Sequence, residues 1–151
     1  MTVLSDAEVI QRLMLAAALG SLIGLEREWR HKDAGLRTNI LIAIGAAVFT
    51  LMSIQLTDAN VGDKSRVAAQ LVTGIGFLGA GAIMRTDAGI QGLTTAATIW
   101  VNAGIGMAAG GGDFHLAVIA TAVTLIVLLL LHPLEQFIDR KRPPSPPATS
   151  A

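Results

Sequence analysis

The segment FHLAVIATAVTLIVLLLL, residues 114–131, contains no Asp, Glu, Lys or Arg. A transmembrane α-helix needs about 20 predominantly apolar residues, within a range of roughly 17–25. This segment alone therefore predicts a helix that crosses a bilayer. Its leucines point in every direction around the helix, which is typical of a span that faces lipid on most sides.

Four further runs have the same character. Together the runs predict transmembrane helices at about residues 9–25, 38–56, 67–84, 93–109 and 114–131. The composition agrees, because 52% of residues are hydrophobic and 15% are charged, against about 25% charged in soluble domains. The predicted fold class is an all-α membrane protein, a bundle of five transmembrane helices. Residues 1–135 form its one domain, and residues 136–151 are expected to be a disordered basic, Pro-rich tail.

Lys and Arg are distributed unevenly among the connections. The first loop, the third loop and the tail carry eight of them, and the opposite side carries two. Cytoplasmic loops carry the excess of basic residues, so we expect the N-terminus outside and the C-terminus in the cytoplasm. No basic residue precedes Arg12, so no cleavable signal peptide is predicted and the first run is expected to be retained.

Several functional classes find no support in the sequence. The absence of cysteine excludes a disulfide framework, a thiolate metal site and a cysteine nucleophile. Residues 74–79 match the glycine pattern of a dinucleotide site, but they lie inside an apolar run rather than between a strand and a helix. The three histidines are scattered near membrane boundaries. We expect no enzyme, no cofactor, no metal site and no nucleic-acid partner.

The first loop is the most polar segment and reads GLEREWRHKDAGLRTN, residues 24–39. Glu26 precedes Arg30 by four residues, and Glu28 precedes Lys32 by four, the favourable orientation for helical ion pairs. The first helix is therefore predicted to continue about two turns beyond the membrane, with Trp29 at the interface, until residues 34–35 end it.

Two interpretations of this loop remain open. It can be a solvated helix end that positive charge anchors at the cytoplasmic surface. Alternatively, Glu26, Arg27 and Arg37 lie partly buried against other helices and pair in a low dielectric, which would indicate a functional site.

The third helix is dense in glycine, with Gly74, Gly76, Gly79 and Gly81 within two turns. Each glycine lowers helix propensity, so their density needs a reason. Close helix packing is one explanation, and a locally unwound helix that exposes carbonyls to an ion is another.

Small and polar residues recur at every fourth position in three other helices. The stripes are Ala16, Gly20 and Gly24 in the first helix, Asn39, Ala43 and Ala47 in the second, and Thr94, Thr98, Asn102, Gly106 and Gly110 in the fourth. Packing explains most of these residues, because polar groups in lipid must find partners. Gln70 and Asn102 are the two amides we single out as functional candidates.

Four motifs occur in order along the chain: GLERE (24–28), AGLRTN (34–39), RVAAQLVTGIGFLGAG (66–81) and GLTTAATIW (92–100). Together they resemble the MgtC/SapB family of bacterial inner-membrane proteins, over about residues 13–135. The resemblance implies a five-helix membrane domain with a cytoplasmic C-terminus. Longer members carry a soluble domain resembling ACT domains, so this sequence is expected to represent the membrane domain alone.

The resemblance also implies a role in growth at low magnesium and in the survival of pathogens inside macrophages. Two hypotheses follow. One is a non-enzymatic modulator of other inner-membrane proteins, such as the ATP synthase or transport ATPases. The other is a transporter or channel for magnesium or another ion. Assembly into a homo-oligomer is part of this second hypothesis. A structural or lipid-binding scaffold is a third interpretation.

The motifs mark polar positions as site candidates. These are Glu26, Arg27, Arg37, Thr38, Asn39, Arg66, Gln70, Arg85, Thr94, Thr95 and Asn102. The glycines expected to pack between helices are Gly20, Gly24, Gly74, Gly76, Gly79, Gly81 and Gly106.

Overall fold

The computed structural model describes residues 4–56, 65–87 and 89–139. These residues form five α-helices and one short antiparallel hairpin. The helices are α1 (Asp6–Trp29), α2 (Leu36–Leu56), α3 (Ser65–Gly81), α4 (Leu93–Gly111) and α5 (Phe114–Asp139), and the strands are β1 (Met84–Thr86) and β2 (Gly89–Gln91).

Three of the helices are long and apolar enough to cross a membrane. They are Asp6–Trp29, Leu36–Leu56 and the Phe114–Leu131 part of α5. α3 is shorter, at 17 residues, and α4 is made more polar by its threonines, glycines and Asn102. The helical membrane fold is therefore confirmed, whereas five crossings and their orientation stay predictions.

α1 begins and ends with local hydrogen bonds. At its start, Ser5 Oγ accepts from the backbone N–H of Glu8, and the Glu8 carboxylate accepts from the Ser5 N–H, which satisfies two donors that the helix leaves free. At its end, α1 extends past residue 25, where the predicted span stops, by about one turn and not by the predicted two. The helix ends at Trp29, because the backbone turns left-handed at His31 (φ 53°) and again at Ala34 (φ 56°).

α1, α2 and α4 pack closely through their small residues. A Cβ added at Gly20 of α1 would lie 2.8 Å from the Cβ of Ala43 of α2. Along the same part of α2, a Cβ at Gly106 of α4 would overlap the Ala43 backbone, and one at Gly110 would lie 2.6 Å from the Ala47 carbonyl oxygen. Real side chains do not approach so closely. Glycine at these positions of α1 and α4 therefore allows the two helices to pack closely against α2.

α3 and α5 lie at the periphery of this three-helix core. Only 11% of the Phe114–Leu131 part of α5 is buried, in line with the expectation that this helix faces lipid. α3 is a continuous α-helix, so the unwound alternative is not observed. Of the glycines expected to pack, Gly20, Gly24, Gly79 and Gly106 lie against another helix, whereas Gly74, Gly76 and Gly81 face open space within the described chain.

The hairpin between α3 and α4 was not predicted. The third span was expected to reach residue 84, but α3 ends at Gly81 and the chain then pairs Arg85 with Ile90. Two glycines make the hairpin and its exit feasible, because Gly89 (φ 117°) and Gly92 (φ 86°) adopt backbone conformations that other residues rarely adopt.

The fifth helix is longer than predicted. The sequence ended it at residue 131, ahead of His132 and Pro133, and assigned residues 136–151 to the tail. α5 instead continues through Pro133 to Asp139; Leu134, Glu135 and Gln136, which follow the proline directly, are residues that favour helix. Residues 140–151 lie outside the described part of the chain.

Candidate functional site

A group of polar side chains is buried where the end of α1 meets the beginnings of α2 and α4. We call it the polar cluster; its members are Glu26, Arg27, Arg30, Asn39, Thr95 and Asn102. All except Arg30 are buried, with exposed fractions of 7% for Glu26, 3% for Arg27, 4% for Thr95 and 0% for both asparagines. The cluster therefore favours the second interpretation of the first loop for Glu26 and Arg27.

The charged half of the polar cluster joins α1 to α4. Arg27 Nη2 donates to Thr95 Oγ1 at 3.1 Å, and Arg27 Nη1 lies 3.8 Å from Glu26 Oε2. Arg30 Nε lies 2.7 Å from Glu26 Oε1, which forms the predicted i,i+4 ion pair. One buried carboxylate thus lies between two guanidinium groups.

This half of the cluster has unused hydrogen-bonding capacity. Within the described residues, neither Glu26 oxygen accepts a well-aligned hydrogen bond, and Arg27 Nε donates none. The 2.7 Å approach of Arg30 is therefore an ion pair without hydrogen-bond alignment. Burying charges is costly and is offset only by close pairing, so removal of one partner should be strongly destabilising.

The amide half of the polar cluster joins α4 to α2 and the first loop. Asn102 Nδ2 donates to the Asn39 carbonyl oxygen at 2.7 Å and to Asn39 Oδ1 at 3.1 Å. Asn39 Nδ2 in turn donates to the carbonyls of Gly35, at 3.0 Å, and Ala34. The shape of the loop therefore depends on a residue in the middle of α4.

A third contact fixes the same loop. Glu28 Oε2 accepts from the Leu36 N–H at 3.1 Å, so a carboxylate lies at the positive end of the α2 dipole. Between these fixed points the Trp29 side chain is 86% exposed. The spacing predicted a helical pair between Glu28 and Lys32, but α1 ends before Lys32 and Glu28 contacts Leu36 instead. A contact across the loop has no spacing signature in the sequence.

The other predicted site residues are not brought into the polar cluster. Arg37, Thr38, Arg66, Gln70, Arg85 and Thr94 are all exposed. Thr38 and Gln70 do share one feature, since both line a groove of about 890 Å³ between α2 and α3. In residues 4–56, 65–87 and 89–139, no three His, Cys, Asp or Glu side chains are placed so that they could hold a metal ion together.

One further polar contact lies at the opposite end of the three-helix core. Arg12 Nη1 donates to the Gly110 carbonyl oxygen at 2.9 Å, near the end of α4. The last carbonyls of a helix attract cations.

Known proteins resemble this chain over most of its length. The MgtC family model matches residues 13–137. Protein MgtC of Salmonella typhimurium (strain LT2) is 50% identical over 131 residues, covering 87% of this chain and 55% of that protein. The Escherichia coli (strain K12) protein named "Putative magnesium transporter YhiD" is 49% identical over 134 residues, covering 85% of this chain and 62% of that protein.

A more distant relative, an uncharacterized protein of Synechocystis, is 44% identical over 134 residues, covering 89% of this chain and 56% of that protein. This chain thus spans little more than half the length of the curated relatives it matches. No solved structure matches it. The family match, the identity to curated relatives and the long apolar helices lead to one conclusion: this chain is a membrane protein that belongs to the MgtC family.

Proposed function

We propose that this chain is a non-enzymatic modulator of another membrane protein and acts in adaptation to low magnesium. It crosses the bacterial inner membrane five times, with the N-terminus outside and the C-terminus in the cytoplasm. The proposal is supported by membership of the MgtC family and by the name of the Escherichia coli relative, which refers to magnesium. The eight-to-two distribution of basic residues supports the orientation.

The contacts of the polar cluster narrow the choice of docking surface. Asn39 and Asn102 were candidates to meet a partner, but both are fully buried and bond to each other. Thr98 of the α4 stripe is also buried and bonds to the Thr94 carbonyl within its own helix. These side chains hold the core together, so the docking element that we propose is the first loop and not the polar stripe of α4.

The single observation that carries the proposal is the exposed Trp29 on a loop of fixed shape. Trp and Arg dominate the energetic centres of protein interfaces, and Trp29 is flanked by Arg30 and by the exposed Lys32. A loop held by Glu28 and Asn39 loses little conformational entropy on binding. The partner is an inner-membrane protein that presents a cytoplasmic surface, such as the ATP synthase or a transport ATPase.

Crosslinking in native membranes tests this proposal. A photoreactive amino acid at Lys32 should capture one inner-membrane protein, and the Trp29→Ala substitution should abolish both the capture and growth at low magnesium. The same photoreactive group at Val118, on exposed α5, is the matched control and should not yield that product. Capture of the chain itself alone, or capture that persists without Trp29, would contradict the proposal.

A magnesium transporter or channel is the second candidate. The name of the Escherichia coli relative favours it, and Gln70 supplies a polar group in the groove between α2 and α3. Purified protein in liposomes containing a magnesium indicator decides between the candidates. Flux above that of empty liposomes, reduced by Gln70→Ala, would establish transport; no flux would rule the transporter out.

A further inference from the structure

A groove runs between α2 and α3 along the described residues. Its volume is about 890 Å³, and its lining is apolar except for Thr38 and Gln70. Gly45 of α2 and Gly74 and Gly81 of α3 line its walls, and a Cβ on any of them would meet nothing within 4 Å. The glycines therefore widen the groove and do not serve contacts within the described chain.

The length of the groove matches that of a lipid acyl chain. On α2 it extends from Thr38 to Phe49, and eleven residues of helix rise about 17 Å. Half of the hydrocarbon core of a bilayer is about 15 Å thick. An apolar groove of this length therefore suits the extended acyl chains of one leaflet.

Positive charge lies at one end of this groove. Arg37 precedes Thr38 at the beginning of α2, and Arg85 follows the end of α3 in the hairpin; both are exposed. Neither forms an ion pair with another described residue. Asp87 lies in the turn of the hairpin, and the Glu28 carboxylate at the beginning of α2 already accepts from the Leu36 N–H, so both guanidinium groups stay free to bind an anion.

We propose that the groove binds one anionic phospholipid. Its acyl chains lie between α2 and α3, its phosphate lies between Arg37 and Arg85, and the Thr38 hydroxyl donates to a phosphate or ester oxygen. Basic pockets between transmembrane helices bind lipid phosphates in this way. The site is separate from the first-loop surface around Trp29 and does not depend on which protein that surface contacts.

Native mass spectrometry of the purified full chain tests the site with two lipids of equal chain length, dioleoylphosphatidylglycerol and dioleoylphosphatidylcholine. We expect one lipid per chain and a preference for phosphatidylglycerol on the order of tenfold. The double variant Arg37→Gln/Arg85→Gln should abolish the preference. Arg66→Gln removes an exposed arginine at the other end of α3 and should leave it intact. Equal loss in both variants, or a preference that survives the double variant, would overturn the proposal.

A second set of variants tests the acyl-chain part. Gly74→Leu places a side chain in open groove space, so the protein should fold and retain less of both lipids by several-fold. Gly76→Leu, on the same helix but outside the groove lining, is the control and should retain both. If the wild type instead binds no lipid and is a dimer that Gly74→Leu dissociates, a second copy occupies the groove and the proposal is wrong.

Discussion

The side-chain amide of Asn102 on α4 donates to both the main-chain and the side-chain oxygen of Asn39 on α2, at 2.7 and 3.1 Å. Both residues are fully buried. Asn39 Nδ2 in turn donates to the carbonyl oxygens of Ala34 and Gly35 in the first loop. One pair of amides thus links helix packing to the shape of the surface on which the proposed function rests.

The first prediction concerns this pair. Asn102→Ala should lower the free energy of unfolding by about 1–3 kcal/mol, because it removes two hydrogen bonds and leaves buried acceptors unpaired. Unfolding in detergent, followed by circular dichroism, measures the change. Gln70→Ala is the matched control, since Gln70 is exposed and should change stability by less than about 0.5 kcal/mol. Equal losses in the two variants would contradict the assigned role of Asn102.

The second prediction concerns the buried charges. Glu26→Gln should destabilise the protein by about 3–5 kcal/mol, because it leaves Arg27 buried without its counter-charge. Adding Arg27→Met should recover part of that loss, since the double variant buries no charge at either position. A double-mutant cycle on unfolding free energies measures the coupling. Additive losses would show that the pairing contributes nothing.

These contacts show how far the sequence can predict such a site. The four-residue spacing from Glu26 to Arg30 predicted their ion pair, and the stripe through Asn102 predicted that its amide must face protein. Both follow from helical periodicity, which the sequence carries directly. The pairing of Asn102 with Asn39 depends on how α2 and α4 are placed against each other, and no spacing within one helix encodes that placement.

The glycines of α3 also show what the sequence cannot predict. Gly74 and Gly79 look equivalent in the sequence, but only Gly79 lies near another helix, 3.6 Å from the Ala96 carbonyl oxygen measured from an added Cβ. Similarly, the hairpin around Arg85 has strands of only three residues, too short for an alternating pattern to identify.

The third prediction tests orientation and the number of crossings. The chain contains no cysteine, so single cysteines can be introduced without removing native ones. A membrane-impermeant maleimide applied to intact cells with a permeabilised outer membrane should label His115→Cys, in the first turn of α5, and should label Lys32→Cys only after the inner membrane is lysed. Both positions are exposed, and three predicted crossings separate them. Labelling of both from the same side would mean that an even number of helices crosses between them.

The last prediction uses two glycines whose alanine variants should change stability in opposite directions. An added Cβ at Gly106 would overlap the Ala43 backbone, whereas one at Gly76 would meet nothing within 4 Å. Alanine favours helix over glycine by up to about 1 kcal/mol, so Gly76→Ala should raise the free energy of unfolding by up to that amount. Gly106→Ala gains the same propensity but forces α2 and α4 apart.

That separation should outweigh the gain, because interdigitated helices lose many contacts when they move apart and such overpacking costs about 1–3 kcal/mol or more. It should also lengthen the Asn102–Asn39 hydrogen bonds, so Gly106→Ala and Asn102→Ala should be less than additive in combination. Thermal unfolding of the two glycine variants in the same detergent measures whether their stabilities change in opposite directions. If Gly106→Ala is as stable as Gly76→Ala, α2 and α4 do not approach each other closely at Ala43. The geometry that buries the polar cluster would then be wrong as well.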